Sequence, residues 1–156
     1  MLSRNRLILA LISAAALATL APAVRADQNV LGGARVGYFA DPDAPLVGGE
    51  VLVKVVPAFY FNPNVEFVLQ GDSYITANAD FHYDFPINGS RTTLWAGAGL
   101  GVISVNPDGP APGDTEAGLN VLLGAGMTRG DVIPYFQAKV IAKDDSELSL
   151  AFGLRF

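Results

Sequence analysis

From residue 28 to the end of the chain, apolar and polar side chains alternate with a period of two in eight stretches: residues 28–40, 48–60, 64–71, 74–85, 92–105, 118–128, 133–143 and 147–156. A period of two marks a strand whose faces meet different surroundings. In the fourth stretch Asn78, Asp80, His82 and Asp84 share one face, and Ala79, Phe81, Tyr83 and Phe85 the other. In the eighth, Glu147, Ser149, Ala151, Gly153 and Arg155 oppose Leu148, Leu150, Phe152, Leu154 and Phe156. The connectors, among them Asp41-Pro42-Asp43, Asn62-Pro63-Asn64, Asn88-Gly89, Asn106-Pro107-Asp108-Gly109 and Arg129-Gly130-Asp131, carry residues that accept the backbone angles of tight reversals. The pattern predicts eight antiparallel strands and no helix beyond the N-terminus.

A soluble sandwich also alternates, with its apolar face inward. Two features predict the reverse. The polar face is sparsely charged and rich in Gly and Thr. It also carries both signs at depth, with Arg35, Lys54, Lys139 and Arg155 against Glu66, Asp80, Asp84 and Glu147. That suits a narrow lumen in which charges pair, enclosed by a wall whose apolar side faces lipid. A sheet in lipid must close so that every backbone group is paired. Phe59, Phe81, Tyr83, Phe85 and Phe156 fall near one rim, as an interfacial aromatic girdle should, with Tyr38 as the counterpart at the other.

Composition narrows the setting. The chain is 51% hydrophobic, yet beyond the N-terminus no apolar run is long enough for a transmembrane helix. Residues 1–26 read as a signal peptide: Arg4 and Arg6 precede an apolar core from Leu7 to Leu20, Pro22 closes it, and Val24-Arg25-Ala26 offers a cleavage site. Residues 27–156 then form one barrel domain. Cleavage removes Arg4, Arg6 and Arg25 and no acid, moving the net charge from −5 to −8. Such an acidic chain is not expected to bind nucleic acid. The absence of cysteine excludes a disulfide scaffold and a thiolate metal site.

Candidate chemistry is sparse. Gly97-Ala98-Gly99-Leu100-Gly101 has the look of a phosphate-binding loop but lies within a strand, so its glycines are expected to face the lumen and make room for large side chains such as Trp95. His82, the single histidine, could pair with Asp80 or Asp84 as a hydrolase base. Its parity points it into the lumen, away from a lipid substrate, and favours a structural role. Asp41 with Asp43, or Asp144 with Asp145, could share a divalent cation, but their spacing does not match a calcium loop. No catalytic residue, metal site or cofactor is expected.

The apolar terminal strand ending in Phe156, together with Trp95-Ala96-Gly97-Ala98-Gly99-Leu100-Gly101, resembles the eight-stranded outer-membrane β-barrel superfamily, which includes the outer membrane protein A transmembrane domain and the outer membrane protein X type. The resemblance spans residues 27–156 and implies a closed up-and-down barrel in the outer membrane of a Gram-negative cell. It implies that Phe152, Leu154 and Phe156 form the signal read by the barrel-assembly machinery, and that the partners are outer-membrane lipid and lipopolysaccharide. No peptidoglycan-binding domain follows Phe156, so anchoring to the cell wall is not expected.

The expected function is a monomeric, non-enzymatic envelope protein with a structural or surface-interaction role. The alternatives are a narrow, porin-like channel for ions or small solutes, a lipid-modifying enzyme, and a soluble periplasmic binding barrel. A lumen charge cluster of Arg35, Lys54, Glu66, Asp80 and Lys139 is expected to close the interior, with Lys54 paired to Glu66 and Asp80 to Lys139. With both chain ends in the periplasm, the acidic first, third, fifth and seventh connectors face outward. An epitope inserted between Pro110 and Gly113 should therefore be labelled by antibody on intact cells. Labelling only after permeabilisation would invert the topology.

Overall fold

The computed structural model describes residues 29–70, 73–106 and 113–156. The proposed signal peptide, Asp72, Asp108 and the insertion site at Pro110 lie outside the described residues. Eight strands follow in chain order: β1 Val30–Phe39, β2 Ala44–Val56, β3 Phe59–Leu69, β4 Ser73–Pro86, β5 Thr92–Asn106, β6 Asp114–Met127, β7 Ile133–Ala142 and β8 Glu147–Arg155. Each pairs antiparallel with its neighbours, and β1 pairs with β8 to close the barrel. The closing seam runs one residue past β8, where Gly32 and Phe156 exchange backbone hydrogen bonds of 3.0 and 2.9 Å. The terminal end of the barrel carries the start of β1, the end of β8 and the turns after β2, β4 and β6. The other, the loop end, carries the remaining connectors.

The alternation sorts side chains as the sequence predicts. Leu100, Leu119 and Leu123 point outward and are 61–63% exposed, while Glu66 and Asp80 are fully buried. Only an apolar solvent around the wall accounts for both observations. Near the terminal end the outward aromatics pack together: Phe61 and Phe59 lie against Phe81, with centroids 4.8 and 5.8 Å away, and Tyr83 against Phe85. At the loop end the Tyr38 hydroxyl donates to Asp43.

The inward side chains form three layers. At the loop end Phe39, Leu46, Val68, Tyr74, Ile103 and Ile141 make an apolar plug. The middle layer is polar and charged. At the terminal end the rings of Tyr60, His82, Trp95 and Tyr135 follow one another around the wall, each centroid 5.4–5.9 Å from the next.

Asn62-Pro63-Asn64 departs from expectation. It reads as a turn, yet it lies within β3, and the chain reverses earlier at Pro57-Ala58, where Ala58 takes a φ of 64°. The register shows how a proline is tolerated inside a transmembrane sheet. Glu50 faces Asn64 and Val53 faces Phe61, so Val51 stands opposite Pro63, which has no N–H to give. The Asn62 side chain takes over, its Nδ2 donating to the Val51 carbonyl at 3.0 Å. An Asn62→Ala variant should lose about 1–3 kcal/mol of unfolding free energy by orphaning that carbonyl. Adding Pro63→Ala restores a backbone donor at the same place and should recover part of the loss. Equilibrium unfolding in detergent or lipid measures both, and additive losses would refute the replacement.

Candidate functional site

The middle layer is an ion-pair chain running across five strands. Arg155 Nε lies 2.8 Å from Glu50, Glu50 contacts Arg35, Arg35 Nη1 lies 3.1 Å from Glu66, and Glu66 lies 3.0 Å from the Lys139 ammonium. The signs alternate along the chain, and every member is at most 6% exposed. Asp80 joins through an amide: Asn64 Nδ2 donates to Asp80 at 3.0 Å, and Lys139 Nζ lies 3.5 Å from Asn64 Oδ1. Three cations thereby meet three carboxylates. Buried ions are tolerated when paired and hydrogen-bonded: Thr76 donates to Glu66 and Asn120 to Asp80, while Arg35 Nη2 donates to Asn62 Oδ1.

The glycines of β5 make this possible. Asp80 on β4 and Asn120 on β6 both stand in register with Gly99 on the strand between them. Asn120 Nδ2 reaches over Gly99 to Asp80 Oδ1 at 2.6 Å. A Cβ at Gly99 would collide with that carboxylate, and one at Gly97 with His82. The room for Trp95 comes instead from Gly124 and Gly126 on β6. The glycine-rich stretch thus serves His82 and the polar layer rather than the indole.

Of the five residues expected to cluster, Arg35, Glu66 and Lys139 are in direct contact and Asp80 is linked to them through Asn64. Lys54 is not among them. Its parity is inward, but it is exposed at the terminal rim and makes no ion pair with a described residue. The register places Glu66 opposite Gly48 and Lys54 opposite Tyr60, six residues further along β2. That is a separation of about 20 Å. The expected pair Lys54–Glu66 is therefore not formed, and the expected pair Asp80–Lys139 is replaced by a link through Asn64. Glu50 takes the place that Lys54 was expected to hold in bridging β2 to the cluster, and Arg155 extends it to β8. From the sequence Arg155 falls on the polar face but outside the expected cluster, and Glu50 is missed although it shares the inward parity of Lys54; parity carries no information about height.

His82 is 2% exposed and stacks between Tyr60 and Trp95, facing the lumen. Its Nε2 lies 3.4 Å from Asp84 Oδ1 without hydrogen-bonding to it. At the loop end Lys143 bridges Glu116 and Glu147, and Tyr74 donates to Glu147. The hydrogen bond to Glu116, with Glu147 adding to it, raises the Lys143 pKa above its ordinary value against a smaller desolvation effect. Among the described residues no group of three His, Cys, Asp or Glu is arranged to hold a metal ion.

No protein-family model and no curated protein matches the chain. Solved structures do. The N-terminal β-barrel domain of Pseudomonas aeruginosa OprF aligns with a TM-score of 0.64 at 14% identity, over 83% of this chain and 98% of that one. Ail, the attachment invasion locus protein of Yersinia pestis, gives 0.57 at 12%, over 82% and 97%. The outer membrane enzyme PagL gives 0.53 at 13%, over 81% and 98%. At such identities the likeness is one of fold. The chain has the fold of the eight-stranded outer-membrane β-barrels, in agreement with the resemblance and the location read from its sequence.

Lys139→Met and Glu66→Gln should each destabilise the barrel by about 3–5 kcal/mol, because the first leaves the buried charges one cation short and the second strands the Lys139 ammonium. Together they should cost clearly less than the sum. Lys54→Met should change stability by less than about 0.5 kcal/mol, as an exposed side chain that forms no ion pair with a described residue. Unfolding in detergent measures all four variants. Strict additivity of the first two would show that they are not coupled.

Proposed function

We propose that this chain is a non-enzymatic barrel of the outer membrane, contributing to envelope structure with a filled, non-conducting interior and with its acidic loops presented for surface interactions. The observation that carries this reading is the stacking of an apolar plug, a charge-balanced polar layer and an aromatic layer across the lumen. Eight strands leave an interior just wide enough for side chains, and here residues such as Arg35, Leu122 and Ile141 occupy it with at most 2% exposure. An ion crossing it would have to break the Arg35–Glu66–Lys139 contacts and then pass Phe39 and Ile141.

The protein reconstituted in planar bilayers should show no steady conductance. A stable open level would refute the filled lumen and support the narrow channel. The enzyme reading has a precedent in fold, since PagL is an outer membrane enzyme. It is disfavoured because His82 stacks inside the lumen, separated by the wall from lipid outside. Lipid A mass spectra of cells with and without the protein should be identical.

Assembly is assigned to the terminal strand. Phe152, Leu154 and Phe156 all point outward, and Phe156 adds the last backbone pair of the closing seam. Under this proposal the barrel-assembly machinery reads these residues, and lipid and lipopolysaccharide surround the finished monomer. Deleting Phe156 should lower the outer-membrane level in cells by more than the stability of the refolded barrel falls. Unchanged insertion would remove the assembly role.

A further inference from the structure

His82 and Asp84 stand two residues apart on β4, so both side chains project to the lumen side of the wall. The His82 ring is held in place. Tyr60 and Trp95 stack against it with centroids 5.4 and 5.5 Å away. Gly97, opposite His82 on β5, leaves the room that a Cβ would take from the histidine. Both ring nitrogens and Asp84 Oδ1 are buried and make no hydrogen bond, and buried polar atoms without a partner call for an explanation. Nε2 lies 3.4 Å from that Oδ1. A proton held between imidazole and carboxylate would draw the two atoms to about 2.7–2.9 Å. A bare Nε2 lone pair facing a carboxylate oxygen would be repelled by it. A metal ion between them removes the repulsion and fits the distance. With bonds of about 2.0–2.2 Å to nitrogen and oxygen and a tetrahedral angle, two ligand atoms stand about 3.4 Å apart.

We propose that His82 Nε2 and Asp84 Oδ1 chelate a divalent d-block ion such as Zn²⁺, whose other coordination positions open to the terminal end of the barrel. A cavity of about 530 Å³ lies there, and Asp84 lines it together with Tyr60 and Thr93. Water or a small ligand from that cavity completes the coordination, as in metal sites that keep an open position. The donor set selects the ion: an imidazole with a carboxylate suits Zn²⁺, Co²⁺ or Cu²⁺, whereas Mg²⁺ and Ca²⁺ take oxygen ligands. The Arg155 guanidinium on the cavity wall is paired with Glu50, which lessens its repulsion of a bound cation.

His82 is the single histidine and the chain has no cysteine, so one imidazole accounts for any nitrogen-ligated site. Trp95, the single tryptophan, stacks on that imidazole and reports on it. The full chain, refolded in detergent without a histidine tag, is titrated with Co²⁺ while Trp95 emission and visible absorption are followed. Quenching should be saturable and accompanied by the intense visible bands of four-coordinate Co²⁺. Zn²⁺ should reverse both signals, and Mg²⁺ neither. His82→Gln and Asp84→Asn should each weaken binding at least about tenfold, since removing a ligand costs no less than removing a group that supports one. Heat-modifiable migration checks that each variant folds, and Asp84→Asn, at the less buried end of the pair, keeps the test should His82→Gln not refold. Asp144→Asn, among the loop-end acids, should bind as the parent does. No saturable quenching, saturation without the four-coordinate bands, undiminished binding by Asp84→Asn, or binding lost with Asp144→Asn would each overturn the proposal.

Discussion

A charge enclosed in a tube one side chain wide has to be neutralised within a few ångströms, and the interior of this barrel is arranged around that requirement. Arg35 sits between Glu50 and Glu66, Glu66 is shared with Lys139, and Glu50 with Arg155. Removing any one member leaves the buried set with one uncompensated charge, a state that costs several kcal/mol. Amide side chains then occupy the lone pairs that the ions leave. The branch through Asn64, Asn78, Asn120 and Asp80 ties β3, β4 and β6 together over the glycines of β5. Such a network contributes less to net stability than an apolar filling of the same volume. Its stronger effect is on alignment: a slip of one residue on any of these strands turns its lumen side chains into lipid.

The wall is under a second constraint of the same kind. In lipid a backbone carbonyl without a donor costs a few kcal/mol, less than a stray charge but enough that a proline inside β3 calls for a substitute donor. Asn62 provides one while its Oδ1 accepts from Arg35 at 3.2 Å. One side chain thus repairs the wall and completes the polar layer, coupling the local irregularity at Pro63 to the charges in the lumen.

The architecture was legible because strand parity is a local property of the chain. Alternation around Asp80 and around Phe152 identified which side chains face in and which face out, and the count of eight strands followed from the turn chemistry. The partners inside the lumen were not legible, because parity gives a face but no height. Lys54 and Glu50 share the inward face of β2, and only the register of β2 against β3 separates the exposed rim from the ion-pair chain. Asn62-Pro63-Asn64 misled for a related reason. Turn residues and lumen amides are chemically alike, and in a barrel the same Asn can end a strand or complete the wall of one.

The OprF domain, Ail and PagL carry distinct roles on one fold, and the fold therefore leaves the role open. In this chain the lipid-facing residues and the middle layer are committed to closing and aligning the barrel, which leaves little freedom there for another task. Freedom lies at the two ends. The loop end presents Asp43, Glu116, Asp144 and Asp145 around a single bridging Lys143, an arrangement that would repel polyanions. The terminal end holds opposite charges, His82 and three aromatic rings around an open cavity. A closed barrel does not require Arg129 or Asp84 for its closure, and groups that a fold does not need for itself are where a specific activity has room to reside.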